Sequence, residues 1–395
     1  PYFIAVANGG ADHLDVIRPG NEEVIRARFA DAGFFYQADT KQPLADFVPR
    51  LSGLTFQEQL GSYLDKTERL KQLVPYLGQK LGLSPEGQRI ASRAAELCKA
   101  DLVTDMVVEF TSLQGVMGQE YALKSGEDPR VAQAIFEHYL PRFAGDALPR
   151  SGPGIVVGLA DRLDSLVGLF AVGLAPSGSA DPYGLRRAAL GLVQVLIEGR
   201  FSLFLSEAVG QVAPLLPVAV ETQALNEVLA FIQRRLQGWL LEAGYRHDLV
   251  EAVLAERGDN PYLAYRTLET LTDWVENRAV EFEAVLTAYS RPARIVRGHD
   301  DLPPLDPQRL REPAERQLYE AYLRCREKID PNMDVGGFLA AYRLLIEPID
   351  TFFDARRGVF VMVEDAAVRN NRLALLQRLT ELSRGIVDLS KVRGF

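Results

Sequence analysis

Two short stretches carry residues whose types and spacing could do chemistry. Residues 94–102 read AAELCKADL, and some sixty positions on, residues 158–164 read GLADRLD. Carboxylates returned to one place from separate helices can hold a divalent cation, which lowers the pKa of a bound water and makes it a nucleophile. Such a centre also needs neutral imidazoles. The whole chain has four His, at positions 13, 138, 247 and 299. Only His138 falls within the span of the two stretches. The literal His247-Asp248 dipeptide lies outside it and has no partner ligands at a fitting distance, so His247 is read as a surface or helix-cap residue.

This pattern resembles the HD superfamily of metal-dependent phosphohydrolases, in which one helix carries a His-Asp pair and a later helix returns another Asp. Here Asp101 stands and the place of the His is taken by Lys99. On a helical wheel of residues 99–113, Leu102, Val103, Met106, Val107, Phe110 and Leu113 gather on one side. Asp101, Asp105, Glu109 and Ser112 gather opposite. Lys99 falls among the apolar set, where an ammonium must find a carboxylate or discharge. Two readings stay open. Lys99 fills the space of a missing cation and pairs with Asp101 or Asp161, or its stem runs along apolar surface to water. Lys99, Asp101, His138 and Asp161 thus form a degenerate HD site, with no metal and no catalytic residue expected.

The elements that must position these residues read as mainly α. Residues 2–6 are a β-prone run ending in a turn at Asn8-Gly9-Gly10. Helical periodicity covers 22–32 after Pro19-Gly20-Asn21. Phe34-Phe35-Tyr36 followed by Pro43, Pro49 and Gly53 predicts an extended linker. From Phe56 the pattern is almost continuously helical, with Pro/Gly punctuation between segments. Residues 185–205 read as one long helix or two, 221–290 as three or four including 268–288, and 291–310 as a boundary. Helices over 313–329 and 338–389 follow, broken near Arg357-Gly358. The domain reading is 1–65 as an N-terminal β/linker remnant, 66–205 HD-like, 206–290 a helical body, and 291–395 a C-terminal helical domain.

Composition narrows the function. Hydrophobic content of 47% and charged content of 25% are those of a globular protein, and no apolar run reaches the ~20 residues that span a membrane. The only Cys, at 98 and 325, give no disulfide framework, which suits a reducing, cytoplasmic setting. The chain opens without Met and reads as a piece of a longer protein. Net charge is −9, but unevenly placed. Residues 291–395 hold 18 Lys and Arg against 16 Asp and Glu, a net of +2, and the other 290 residues 26 against 37, a net of −11. The C-terminal quarter is therefore the expected nucleic-acid surface. No phosphate-binding GxxxxGK[ST], no GxGxxG after a strand and no GxSxG nucleophile elbow occurs, and nothing suggests the ATP site of either synthetase class. The Ser177-Gly178-Ser179 loop is read as an ordinary turn.

Residues 361–376 (VMVEDAAVRNNRLALL) read as a capped amphipathic helix. Val368, Leu375, Leu379 and Leu382 form its core stripe, Glu364 and Asp365 suit the helix N-terminus, and Arg369 and Arg372 share another, solvated face. An Arg/Asn face can stack on and hydrogen-bond to unpaired bases. The segment resembles the end of the helical anticodon-binding (DALR) domain of arginyl-tRNA synthetases and of the β subunit of bacterial tetrameric glycyl-tRNA synthetase. The second likeness runs along almost the whole chain. It includes Phe3-Ile4-Ala5-Val6-Ala7-Asn8-Gly9, Arg26-Ala27-Arg28-Phe29, Lys99-Ala100-Asp101-Leu102, His138-Tyr139-Leu140-Pro141, Leu159-Ala160-Asp161 and Asp181-Pro182-Tyr183 with Leu185-Arg186-Arg187.

The resemblance implies an aminoacyl-tRNA synthetase subunit that grips tRNA-Gly at its acceptor side and anticodon. A catalytic α subunit, separate or fused, would hold ATP and Mg and attach glycine, while this chain alone is not catalytic. It departs from the family in lacking the family's N-terminal part. Arg369, Asn370 and Arg372 are expected to face the anticodon, with Arg343 and Lys328 as phosphate contacts. Arg186 and Arg187 touch the acceptor arm or the α subunit, or are internal ion-pair partners. The alternatives are a working HD phosphohydrolase using Asp101 and Asp161, and an assembly scaffold that binds no RNA.

Overall fold

The computed structural model describes residues 2–6, 13–143, 145–299, 301–330, 333–356 and 358–395. The expected turn at 8–10 and Arg357 lie outside the described residues. Seventeen α-helices, seven short 3-10 helices and one two-stranded sheet make up the regular structure of the described residues, as the helical periodicity requires. The chain divides into two compact units, residues 1–191 with 208–225, and 192–207 with 226–395.

The first unit opens with α1, Leu14–Asp39. This corrects two expectations, since the helix begins before Pro19-Gly20-Asn21 rather than after it, and Phe34-Phe35-Tyr36 are helical rather than linker. Pro19 lies near the helix start and removes only one backbone hydrogen bond. The far end is pinned by tertiary contacts. Buried Asp39 accepts from the Asp105 and Met106 amides and from Tyr121 Oη, and Tyr36 Oη donates to Glu120 at 2.9 Å. Residues 2–6 form no strand. Tyr2, Ile4 and Val6, with Val16, Val24, Phe29 and Phe34 of α1, are exposed.

A short antiparallel hairpin, β1 Thr55–Gln57 and β2 Gly61–Ser62, leads into α2, Tyr63–Lys80. Ser62 Oγ accepts from the Asp65 amide while Asp65 accepts from the Ser62 amide, a capping box that fixes where α2 starts. Next come α3 Pro85–Leu97, α4 Asp105–Glu109, α5 Val116–Lys124, α6 Pro129–Glu137 and α7 Gly152–Ala171. Ser84, Asp128 and Ser151 cap α3, α6 and α7, each with Pro in the first turn. Helix α7 is buried almost all round, and α2, α3 and α6 pack against it.

The division between units falls within α8 Leu185–Glu198, α9 Leu205–Val212 and α10 Thr222–Glu242. The second unit continues with α11 His247–Arg257, α12 Pro261–Asn277 and α13 Ala279–Val296. The expected single helix over 268–288 is thus two, broken at Arg278, and the expected boundary over 291–310 is α-helical only as far as Val296. Helices α14 Pro313–Glu327, α15 Val335–Tyr342, α16 Ile346–Phe352 and α17 Ala366–Glu381 complete it. Asp365 caps α17 by accepting from the Ala367 and Val368 amides. Leu375, Leu379 and Leu382 are buried as the stripe predicts, and Val368 is only half-buried.

Candidate functional site

Residues 99–113 do not form one helix. Helix α3 stops at Leu97, residues 100–103 make a 3-10 turn, and Thr104 caps the short α4. The wheel that placed Asp101 on a solvated face is therefore corrected: Asp101 is fully buried. Its Oδ2 accepts from the Gly115 and Gly118 amides at 2.6 and 3.0 Å, holding the start of α5. Gly115 is required there, with φ 78° and the Tyr139 ring 2.5 Å from where a Cβ would stand. Burial pushes the Asp101 carboxyl up to about 6.

The other three residues of the degenerate HD set do converge. Lys99, just past α3, is buried, and its Nζ lies 2.8 Å from Asp161 Oδ2 on α7 and 2.9 Å from His138 Nε2 at the end of α6. His138 Nδ1 donates to Ile135 O at 2.5 Å, so Nε2 is left to accept from the ammonium. Burial, then the charge of Lys99, holds His138 well below the usual imidazole range. Burial alone would discharge Lys99, but the Asp161 carboxylate outweighs it and keeps the pKa raised. Asp161 in turn is held well below its ordinary value, Lys66 and Lys99 overcoming the cost of burial. Of the two readings left open for Lys99, the geometry selects pairing, and with Asp161 rather than Asp101.

Sequence reasoning missed the larger network around this pair. Lys66 and Arg69 stand one turn apart on α2 and face Asp161 and Asp164, one turn apart on α7. Lys66 Nζ lies 2.8 Å from Asp164 Oδ2, 2.8 Å from Ser165 Oγ, and 3.0 Å from Asp161 Oδ1, the last close enough to pair but off a hydrogen-bond line. Arg69 grips Asp164 through Nε at 2.6 Å and Nη2 at 3.2 Å, and donates Nη1 to Leu60 O. Three cations thus meet two carboxylates. The excess is met by ring faces, since Lys99 Nζ lies 4.3 Å from the Tyr139 centroid and Lys66 Nζ 4.5 Å from that of Phe56, contacts worth ~2 kcal/mol when desolvated. Buried Arg162 donates to four main-chain carbonyls, those of His138, Tyr139, Leu140 and Gly158. A signal existed: Lys66 and Arg69 interrupt the apolar stripe of Leu70, Leu73, Val74 and Leu77 on α2.

The metal that an HD scaffold implies does not fit these residues. The one imidazole lone pair at the centre accepts from an ammonium, and Asp161 is paired with two lysines. Among the described residues no three His, Cys, Asp or Glu side chains come together as a metal set. His247, the first residue of α11, is exposed and 3.6 Å from Glu251.

The C-terminal candidates separate by burial. Arg372 is buried, with Nε 2.5 Å from Glu315 on α14 and Nη1 donated to Phe360 O. The expectation that it shares a solvated face is corrected, because Glu315 is itself nearly inaccessible and needs a counter-charge. Arg369 and Asn370 are half-buried, and Arg369 Nη1 donates to Val363 O. Lys328, past α14, is exposed. Arg343 is exposed and paired with Glu281 at 2.6 Å. Arg186 is half-buried and donates to Gly178 O and Ala180 O, so the 177–180 turn is filled by an arginine. Arg187 is exposed and donates to Arg142 O. No helix among the described residues is long and apolar enough to cross a membrane.

Comparison with known proteins bears on the whole chain. A family profile described as "Glycyl-tRNA synthetase beta subunit" matches residues 1–255. The glycine–tRNA ligase beta subunit of Moorella thermoacetica is 46% identical over 401 residues, covering 99% of this chain and 57% of that protein. That of Myxococcus xanthus is 41% identical, covering 100% and 57%. Glycine–tRNA ligase, chloroplastic/mitochondrial 2, of Arabidopsis thaliana is 42% identical, covering 100% of this chain and 37% of the plant protein. The chain therefore spans between about a third and three-fifths of the length of these relatives. It belongs to the glycyl-tRNA synthetase beta subunit family.

Proposed function

We propose that this chain is a tRNA-gripping part of a glycyl-tRNA synthetase. It holds tRNA-Gly at the acceptor side and anticodon while an α subunit, separate or fused, binds ATP and Mg and attaches glycine. The observation that carries this reading is likeness to beta subunits along the entire chain. The charge distribution agrees with it, since the −11 remainder repels RNA while the +2 C-terminal quarter does not. Within that quarter, Arg369, Asn370, Arg343 and Lys328 keep surface from which to meet bases and phosphates, and Arg372 serves them by fixing α17 against Glu315. Arg187 is the better placed of the two residues opening α8 to meet an acceptor arm or the α subunit, because the Arg186 head is already tied to the 177–180 turn.

The phosphohydrolase alternative fails on the donor set. A nucleophilic hydroxide needs a cation, and the position between His138 and Asp161 already holds the Lys99 ammonium. Fluorescence anisotropy tests the proposal, comparing tRNA-Gly with a tRNA of another anticodon on the whole chain. Tighter binding of tRNA-Gly, weakening steeply with salt, is the expected result. Equal binding of both tRNAs would remove anticodon reading from this chain. Added Mn²⁺ should leave the melting temperature unchanged, and a metal-dependent rise would revive the hydrolase.

A further inference from the structure

In the second unit, one face of α14 and the end of α17 border a groove of about 460 Å³ with the chain at 304–307. Tyr319, Tyr322, Leu323 and Arg326 recur at helical spacing on α14, so all four present to the same side. The two tyrosine rings are layered, with centroids 6.2 Å apart and planes 26° from parallel. Tyr322 is 6% exposed and forms a floor, whereas Tyr319 is half-buried and lines the groove. Arg326 is exposed at one end. At the α17 side, Arg378 and Glu381 form a 3.1 Å pair, setting guanidinium donors beside carboxylate acceptors on the rim.

Such a combination suits one ligand chemistry. A ring face open to a polar groove stacks a planar heterocycle, and stacking is available to any unpaired base. A carboxylate beside it accepts from an exocyclic amino group, as acidic side chains do with cytosine N4. The guanidinium of Arg326, two helical turns along α14 from Tyr319, meets the phosphate that must accompany the base. We infer that this groove binds one unpaired, amino-bearing nucleobase of an RNA loop, with Tyr319 stacking on it, Glu381 accepting from its amino group and Arg326 contacting an adjacent phosphate. The inference rests on the RNA-gripping reading above and adds a base site on α14 to the Arg369 face of α17.

The test is binding of tRNA-Gly to the full chain and to Tyr319→Ala, Tyr319→Phe, Glu381→Gln and Arg326→Gln, each checked for an unchanged melting curve. Tyr319 is partly open and Arg326 exposed, so these variants should fold. Tyr319→Ala should weaken binding about tenfold or more, and Phe should restore it, since the ring face rather than the hydroxyl carries the stacking. Arg326→Gln should lower the slope of log affinity against log salt by about one. Glu381→Gln should reduce the preference for tRNA-Gly over a tRNA whose loop carries uracil in place of the amino-bearing bases. Wild-type preference for tRNA-Gly with Tyr319→Ala binding as wild type would overturn the groove and leave the wider reading standing. A wild type with no preference would overturn both.

Discussion

The centre of the first unit and the C-terminal helices of the second both collect charged side chains, but to opposite ends. Around α2 and α7, Lys66, Arg69 and Lys99 are sealed against Asp161 and Asp164. No partner from outside can use them without breaking the helix packing. On α14 and α17 only one pair, Arg372 with Glu315, is treated this way, while Arg326 and Arg378 stay at the surface beside aromatic rings. Buried charge costs several kcal/mol per ion to desolvate and is tolerated only when fully partnered. It therefore fixes the positions of helices. Exposed charge next to an open ring costs little to keep and remains available to a ligand. The charges that follow the HD-like sequence pattern thus hold helices in place, whereas the charge left at the surface lies on α14 and α17.

The largest test of this contrast is Lys99→Met. Asp161 would lose one of its two lysines and His138 Nε2 its donor, and removal of one partner from a buried pair costs about 3–5 kcal/mol. Denaturant unfolding would measure it, and a loss below ~1 kcal/mol would mean that the ammonium reaches water. Arg372→Ala should follow at about 3 kcal/mol for the same reason, Glu315 being left buried and unpaired. A stability loss of that size makes Arg372→Ala unsuitable as a probe of RNA contact.

Asp101→Asn should show its effect as a pH dependence. With the folded carboxyl at about 6 against 3.8 unfolded, both states are protonated at low pH. Between about 4 and 6 only the unfolded state ionises, so Asp101 removes stability from the wild type as pH rises, by up to about 3 kcal/mol. The asparagine can still accept from Gly115 and Gly118, so the variant should gain on the wild type by that amount between pH 4 and 7. A pH-independent difference would place Asp101 in contact with solvent. The smallest effect belongs to Arg369→Ala, which should leave stability within ~0.5 kcal/mol while weakening tRNA-Gly binding. A change in stability without a change in binding would align Arg369 with Arg372.

Which parts could be read in advance follows from how local their causes are. The caps of α3, α6, α7 and α17 are set by residues within four positions, and their Ser, Asp and Pro signals are plain in the sequence. Lys99 was visible as a misfit in an apolar set. Its partner was not settled, because Asp101 and Asp161 both stood within reach of a chain whose path was unknown. Asp101 misled the wheel because its role is to cap a segment 14 residues away. Lys66 with Asp164, and Glu315 with Arg372, are joined across 98 and 57 residues; Lys66 stands out only as a charge in the apolar stripe of α2, and nothing local names the partner in either pair. The groove on α14 escaped notice because Tyr319, Tyr322 and Arg326 read as an ordinary amphipathic face until residues 304–307 and the end of α17 close over it.

The central claim, that RNA meets the C-terminal helices and not the buried charge centre, is tested most directly by amide hydrogen exchange of the whole chain with and without tRNA-Gly. The account predicts added protection in segments covering 304–328 and 366–381, and none in 63–80 or 152–171. Protection confined to the α2 and α7 segments, with the C-terminal helices unchanged, would contradict it.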